Sequence, residues 1–128
     1  MQELIVKTSK RNELIDITEK INEKISISQG FCLVYVTHTT AAITINEGAD
    51  PDVRRDISVF LEKLIPVSPE FKHFEGNSDS HIKSTLVGPS EWLIVKDNRL
   101  LLGRWQSVYF CEFDGPRTRK VFIDEIKK

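Results

Sequence analysis

The sequence predicts an α+β fold, a compact and mainly antiparallel β-sheet or sandwich with two or three helices, and three observations lead there. Short runs rich in β-branched and aromatic residues, bounded by turn residues, recur along the whole chain. Helical periodicity with start and stop residues is confined to two or three stretches. At 128 residues the chain can bury one core but not two, so residues 1–128 form a single domain.

Taken in order, Met1–Thr8 and Glu13–Thr18 read as short strands joined through the polar corner Lys10-Arg11-Asn12. Thr18 can cap a short helix carrying Ile21 and Ile25, with Gly30 placed to end it. Phe31–Thr37 is apolar on both faces, the pattern of an interior strand. Ala41–Asn46 is the next strand, so His38-Thr39-Thr40 falls at the junction between the two. The clearest helix runs from Pro51 to Ile65: Asp50 is a good N-cap, Pro51 suits the first turn, and Pro66 stops it. Val53, Ile57, Phe60, Leu61 and Leu64 form one apolar stripe, while Arg54, Arg55, Glu62 and Lys63 face solvent. Val67–Gly76 is a loop. Ser78 caps a second helix through Val87, with Ile82 and Leu86 as its buried pair and Gly88 at its end. Glu91–Lys96 and Arg99–Leu102 flank Asp97-Asn98, residues that tolerate the positive φ of a tight hairpin. Trp105–Phe113 and Arg117–Ile126 make the last hairpin, with Trp105 reading as buried. That pair is apolar on both faces with few elements to cover it, which points to self-association.

A formal net charge of −1 argues against a general nucleic-acid binder or a ligand of acidic membranes. No apolar run reaches the ~18 residues of a membrane span, and the N-terminus lacks the apolar core of a signal peptide. The expected setting is the cytoplasm, with no membrane and no nucleic-acid partner. Cys32 and Cys111 lie in apolar strand-like sequence without CxxC spacing, so they read as reduced core residues.

The chemistry-bearing residues cluster at element ends. His38 ends a strand, His73 lies in a loop and His81 sits in a first helical turn. Three imidazoles so placed can build an open three-ligand metal site; each alone is equally well a structural or solvent-facing histidine. Asp50 and Asp52 are explained by capping and the helix dipole, but Glu47 is not, so it is a candidate general base or else a plain loop carboxylate. Asn77, Ser78 and the N–H groups of the following turn form a ready anion site, with capping as the plain alternative. Lys83 and Ser84 read as helix-surface residues. Arg117 and Arg119 stand two apart after Asp114-Gly115-Pro116, so both project from one face of an extended strand. Two guanidiniums on one face suit a phosphate or carboxylate; solvated arginines at a hairpin corner are the alternative. Phosphate-loop, dinucleotide-loop and hydrolase-elbow signatures are absent.

His38-Thr39-Thr40-Ala41-Ala42, Ile45-Asn46-Glu47, Asp50-Pro51-Asp52-Val53, Asn77…His81, Leu102-Gly103…Trp105-Gln106 and Asp114-Gly115-Pro116-Arg117…Arg119 follow one another in order. Together they resemble the YjbQ-like family, also called the secondary thiamine-phosphate synthase family, over nearly the whole chain. The resemblance implies a compact α+β fold assembling as a homotrimer. It also implies a pocket lined by the motif residues and, in some members, a divalent metal (zinc or magnesium) held through histidine. A low thiamine-phosphate synthase activity is attributed to the family. Two positions depart from its pattern: Arg104 replaces an expected Thr before Trp-Gln, and Ser80 stands where Ala commonly precedes the histidine.

The leading reading is an enzyme of low specificity acting on a phosphorylated small molecule, with thiamine-phosphate synthesis as its most concrete form, and on that reading roles fall residue by residue. His38, His73 and His81 would be metal ligands; Thr39, Asn77, Gln106, Arg117 and Arg119 would hold a phosphorylated small molecule; Glu47 and Asp114 would orient ligands or move a proton. Metal-dependent phosphoester hydrolysis, with Glu47 activating water, is a second reading. A non-enzymatic trimeric module binding a metal or small molecule is a third.

Overall fold

The computed structural model describes every residue, Met1–Lys128. In chain order the elements are β1 (Gln2–Lys7), β2 (Glu13–Asp16), α1 (Thr18–Asn22), β3 (Gln29–Tyr35), β4 (Ala41–Glu47) and α2 (Pro51–Leu64). They continue with α3 (Ser78–Val87), β5 (Ser90–Lys96), β6 (Arg99–Leu100), β7 (Gln106–Glu112) and β8 (Thr118–Lys127). The strands form a five-stranded sheet, β1-β8-β3-β5-β6, and a three-stranded sheet, β2-β7-β4. Every pairing is antiparallel, as the α+β class predicts. The main core lies between the sheets, where Val6, Cys32, Val34, Val121 and Ile123 meet Ile43, Val108 and Phe110, with Ile17 and Ile21 of the α1 region at one end. No helix is long and apolar enough to cross a membrane.

One expectation fails instructively. β7 and β8 are not a hairpin: they lie in different sheets, and residues 113–117 carry the chain across. β1 and β2 are split in the same way, as are β3 and β4. The registers put all three crossings at one end of the structure. Lys7 faces Thr118, Glu13 and Ala41 both face Glu112, and Tyr35 faces Phe122. Gly115 belongs here because a Cβ on it would stand 2.3 Å from the Lys10 carbonyl oxygen. Gly30, expected to stop α1, is instead a strand residue at φ +149°; a Cβ there would meet the Ile126 carbonyl oxygen at 2.0 Å, so close strand approach selects glycine. The tight turn at Asp97-Asn98 forms as expected, both residues at positive φ.

The helices depart most from simple patterning. Asp50 caps α2 by accepting from the Asp52 N–H at 2.9 Å, as predicted. Yet α2 buries no residue fully. Ile57 and Leu61 lean on a small cluster around Leu14, Tyr109 and Phe113, Phe60 and Leu64 stay exposed, and Arg54 lies over the Tyr109 ring instead of facing solvent. In α3 the expected polarity is inverted. Ile82 and Leu86 are exposed, while Asp79, Ser80, Lys83 and Ser84 are buried. Hydrogen bonds explain this: Ser80 donates to the Phe113 carbonyl at 2.5 Å and Ser84 to the Ala41 carbonyl at 2.6 Å. Asp79 accepts both Arg11 guanidinium arms at 3.0 Å, and Lys83 donates to Asp79 and to Asn12. Trp105, expected inside, is 54% exposed.

Lys83 and Asp79 are each only 1% exposed, so neither charge tolerates loss of its partner. Asp79→Asn should therefore cost about 3–5 kcal/mol of unfolding free energy in denaturant titration. A loss below about 1 kcal/mol would contradict the ion-pair account of α3 docking.

Candidate functional site

Where the three crossings meet, residues 37–40, residues 114–119, the loop before α3 and its first turn enclose a cavity of about 440 Å³. Its lining is wholly polar: Thr37, His38, Thr39, Thr40, His73, Glu75, Asn77, His81, Asp114, Arg117 and Arg119. It adjoins a second cavity of about 430 Å³ that shares Thr37, His38, Thr39 and His81. The largest cavity, about 710 Å³ between α2 and β2, contains none of the candidate metal, phosphate or catalytic residues.

Beneath the cavity floor lies Glu112, a residue sequence reasoning missed. Its Oε1 accepts from the Thr8 hydroxyl at 2.7 Å and from Arg119 Nε at 2.9 Å. Its Oε2 accepts from Arg119 Nη2 and from the Asp114 N–H at 3.1 Å. Arg119 Nη2 also donates to the Thr40 hydroxyl at 2.8 Å. Thr8 Oγ1 in turn accepts the Arg117 N–H at 2.9 Å. One buried carboxylate thus gathers all three crossings. Burial works to raise its pKa, but bonds from Arg119, Thr8 and the Asp114 N–H outweigh that and hold it below the usual carboxylate range. The visible signal was a charge inside the apolar run Val108–Phe113.

The two arginines therefore differ. Arg119 is a buried ion-pair partner that turns only part of its guanidinium to the cavity. Arg117 is half exposed and held by Asp114, whose Oδ2 accepts from Nη2 at 2.6 Å and whose carbonyl accepts from Nε at 2.7 Å. Asp114 Oδ2 also accepts from Asn77 Nδ2 at 2.8 Å. Asn77, not Ser78, is the N-cap position of α3, and its side chain does not cap the helix. Its amide is turned to Asp114 instead.

The structure gathers His38, His73 and His81 at the cavity but does not arrange them as three ligands. The His73 and His81 rings meet edge to face, 5.5 Å between centres. That separation is the ordinary distance of an edge-to-face ring contact. His38 does not join them, since its Nε2 accepts the Lys120 N–H at 2.9 Å. No three His, Cys, Asp or Glu side chains stand at metal-ligand spacing. Nitrogen donors also suit zinc better than magnesium, which prefers oxygen. Burial lowers the His38 pKa, Arg119 and Arg117 lower it further, and Glu112 offsets part of this. With Nε2 accepting, the proton of the neutral ring is on Nδ1.

Glu47 and Gln106 are not in this cavity. They face each other at the far end of the β4–β7 ladder, about 20 Å along β4 from Ala41 by strand rise. Glu47 Oε2 accepts the Ala49 N–H and Gln106 Oε1 accepts the Gly103 N–H, each at 2.8 Å. Both shape turns, and neither serves this cavity within one chain. Arg104 stacks on Trp105 at that same end, so its departure from the family pattern leaves the cavity lining unchanged. Cys32 and Cys111 are free and buried, with burial raising both thiols to about 12.

The His38 shift sets a pH dependence. The unfolded imidazole takes up a proton near pH 6.5 while the folded one resists, so stability falls as pH drops below about 6.5. Glu112 and Asp79 stabilise above their unfolded carboxylate values and lose that contribution only below the usual carboxylate range. His38 ring signals in a nuclear magnetic resonance titration should show a midpoint below 6.5. His38→Gln should lessen the fall in melting temperature between pH 7 and 5. A midpoint at or above 6.5 would contradict the assigned environment.

Known proteins resemble this chain throughout. The family profile described as UPF0047 protein YjbQ-like matches residues 2–128. A UPF0047 protein of Methanocaldococcus jannaschii is 54% identical over 92% of this chain and 88% of its own length. The Bacillus subtilis protein YugU is 48% identical over 96% of each. The crystal structure of an uncharacterised YjbQ/UPF0047 protein from Clostridium acetobutylicum, 49% identical, superposes with a TM-score of 0.95 over 98% of this chain and all of that one. A conserved hypothetical protein from Thermus thermophilus, 40% identical, does so equally well, with a TM-score of 0.95 over 98% of this chain and 100% of its own. Matched along its length in sequence and in fold, the chain belongs to the YjbQ-like UPF0047 family.

Proposed function

We propose that this protein is an enzyme of broad specificity acting on phosphorylated small molecules in the cavity at the crossings. One observation carries the reading: eleven lining residues without a hydrophobic side chain, among them three imidazoles and two guanidiniums. Such a lining suits a small, charged, strongly hydrated ligand rather than an apolar one. Arg117 is the solvent-facing cation and Arg119 the buried one. Asn77 at the N-cap position of α3 and His81 in its first turn also line the cavity.

Thiamine-phosphate synthesis, which the family resemblance suggests, is the most concrete form of the proposal. The thiazole nitrogen attacks the methylene carbon of the pyrimidine pyrophosphate; the C–N bond forms as the C–O bond breaks, and pyrophosphate leaves with the electron pair. Arg117 and Arg119 would stabilise that departing charge. Thr39 and Asn77 would orient the substrate, and Asp114 would hold Arg117 in position. His73 and His81 would hold a divalent ion, which supplies further charge neutralisation when bound. Metal-assisted hydrolysis with Glu47 as base has no support within the chain, because Glu47 lies at the other end of β4. Two buried thiols suit a reducing, cytoplasmic setting.

We also propose a homotrimer assembled through the outer face of the five-stranded sheet. Phe31, Ile94 and Ile126 are cross-strand neighbours there, with Trp92 and Tyr35 adjoining, and all are exposed. A contiguous apolar face on antiparallel sheet is the signature of an interface.

Incubating the protein with the pyrimidine pyrophosphate and the thiazole phosphate should yield thiamine phosphate and pyrophosphate. Arg117→Ala should slow this about 10²- to 10³-fold. Binding without product would make the protein a ligand-binding module, and undiminished turnover in Arg117→Ala would refute the role of that cation. For the assembly, light scattering should give the mass of three chains, falling to one in Ile94→Glu. A monomeric wild type would contradict it.

A further inference from the structure

The polar cavity does not end at its charged residues. It adjoins the cavity of about 430 Å³ across a strip made of Thr37, His38, Thr39 and His81, which line both. On one side of that strip stand all the charges: Glu75, Asp114, Arg117 and Arg119. On the other side stand Tyr35, Val36, Ser84, Thr85 and Pro89, with no aspartate, glutamate, lysine or arginine. Two adjoining hollows therefore differ in kind, one charged and one uncharged.

The uncharged hollow is less polar than its residue types suggest. The Ser84 hydroxyl donates to the Ala41 carbonyl at 2.6 Å, and the Thr85 hydroxyl donates to the His81 carbonyl at 2.9 Å. Both hydroxyl protons are spent on backbone, so neither is free for a ligand. With Tyr35, Val36 and Pro89 these residues form a wall that holds no counter-charge. An ion placed there loses water without gaining a partner, whereas a neutral organic group loses nothing of the kind. The volume of about 430 Å³ is ample for one flat ring.

We infer that the uncharged hollow is the subsite for the organic half of the ligand, a phosphate ester whose neutral, ring-sized group is joined to the phosphate by a short link. This rests on the phosphate reading of the charged cavity and divides that ligand between the two hollows. The phosphate lies against Arg117 and Arg119, the ring lies among Val36, Thr85 and Pro89, and the link crosses the strip at His38 and His81. A heteroaromatic ring one methylene away from a pyrophosphate, the substrate attacked in the reaction proposed above, has this shape. Tyr35 ends β3 at the margin of the proposed trimer face, so the assembled protein is the form to test.

Calorimetric titration with benzyl phosphate against methyl phosphate tests this, since only the first carries a ring. Wild type should bind benzyl phosphate about 10- to 100-fold tighter. Arg117→Ala should weaken both esters yet leave that ratio within about three-fold of its wild-type value, because the ring does not rest on the arginine. In nuclear magnetic resonance spectra of the wild-type complex, the ring protons should show Overhauser contacts with the Thr85 methyl group. Equal binding of the two esters, a ratio lost in Arg117→Ala, or ring contacts confined to residues elsewhere overturns the subsite and leaves the phosphate reading intact. Binding of inorganic pyrophosphate but of neither ester does the same. Failure of both esters and of pyrophosphate to bind overturns both readings.

Discussion

The ion pair between Glu112 and Arg119 is the constraint around which this molecule is organised. Both side chains are essentially removed from solvent, an arrangement that costs several kcal/mol per charge, about as much as their attraction returns, unless further hydrogen bonds complete it. Those bonds come from Thr8, the Asp114 N–H and Thr40, one from each place where the chain passes between sheets. The pair is therefore less a source of stability than a registration device. It forces three separate crossings to meet at one point.

That meeting point decides where chemistry can occur. Loops that change sheets leave polar backbone and side chains around a common hollow, and α3 closes it from outside through hydrogen bonds rather than through an apolar stripe. Docking by serine, aspartate and lysine fixes the first turn of α3 in orientation. Asn77 and His81 are thereby delivered to the same hollow as residues 114–119. Rigid support of this kind, from both sheets and a helix, is what positions a binding site accurately.

Much of this was legible in the residues, and the failures have physical reasons. Strand and helix positions followed from local patterning, including the Asp50 cap and the Asp97-Asn98 turn. That His38, Asn77, His81, Asp114, Arg117 and Arg119 line one cavity agrees with the pocket the family resemblance implied, whereas the positions of the three histidines along the chain could not show that they meet. Sheet membership did not, because residues 113–117 look alike whether they reverse a hairpin or cross between sheets. The inverted burial of α3 was hidden for a related reason. Ile82 and Leu86 score as core by periodicity, while Lys83 scores as surface until Asp79 and Asn12 are found beside it. Glu47 and Gln106 were grouped with the cavity because they lie in the same motif series, but antiparallel pairing carries them to the opposite end of their ladder.

A double-mutant cycle on Glu112→Gln and Arg119→Met, read by unfolding free energy, addresses the organising role of the pair most directly. Each single change strands a buried partner and should cost about 3–5 kcal/mol, whereas the double variant should lose clearly less than their sum, with a coupling above about 1.5 kcal/mol. Strict additivity, within about 0.5 kcal/mol, would mean that the two side chains act independently and that something else brings the crossings together.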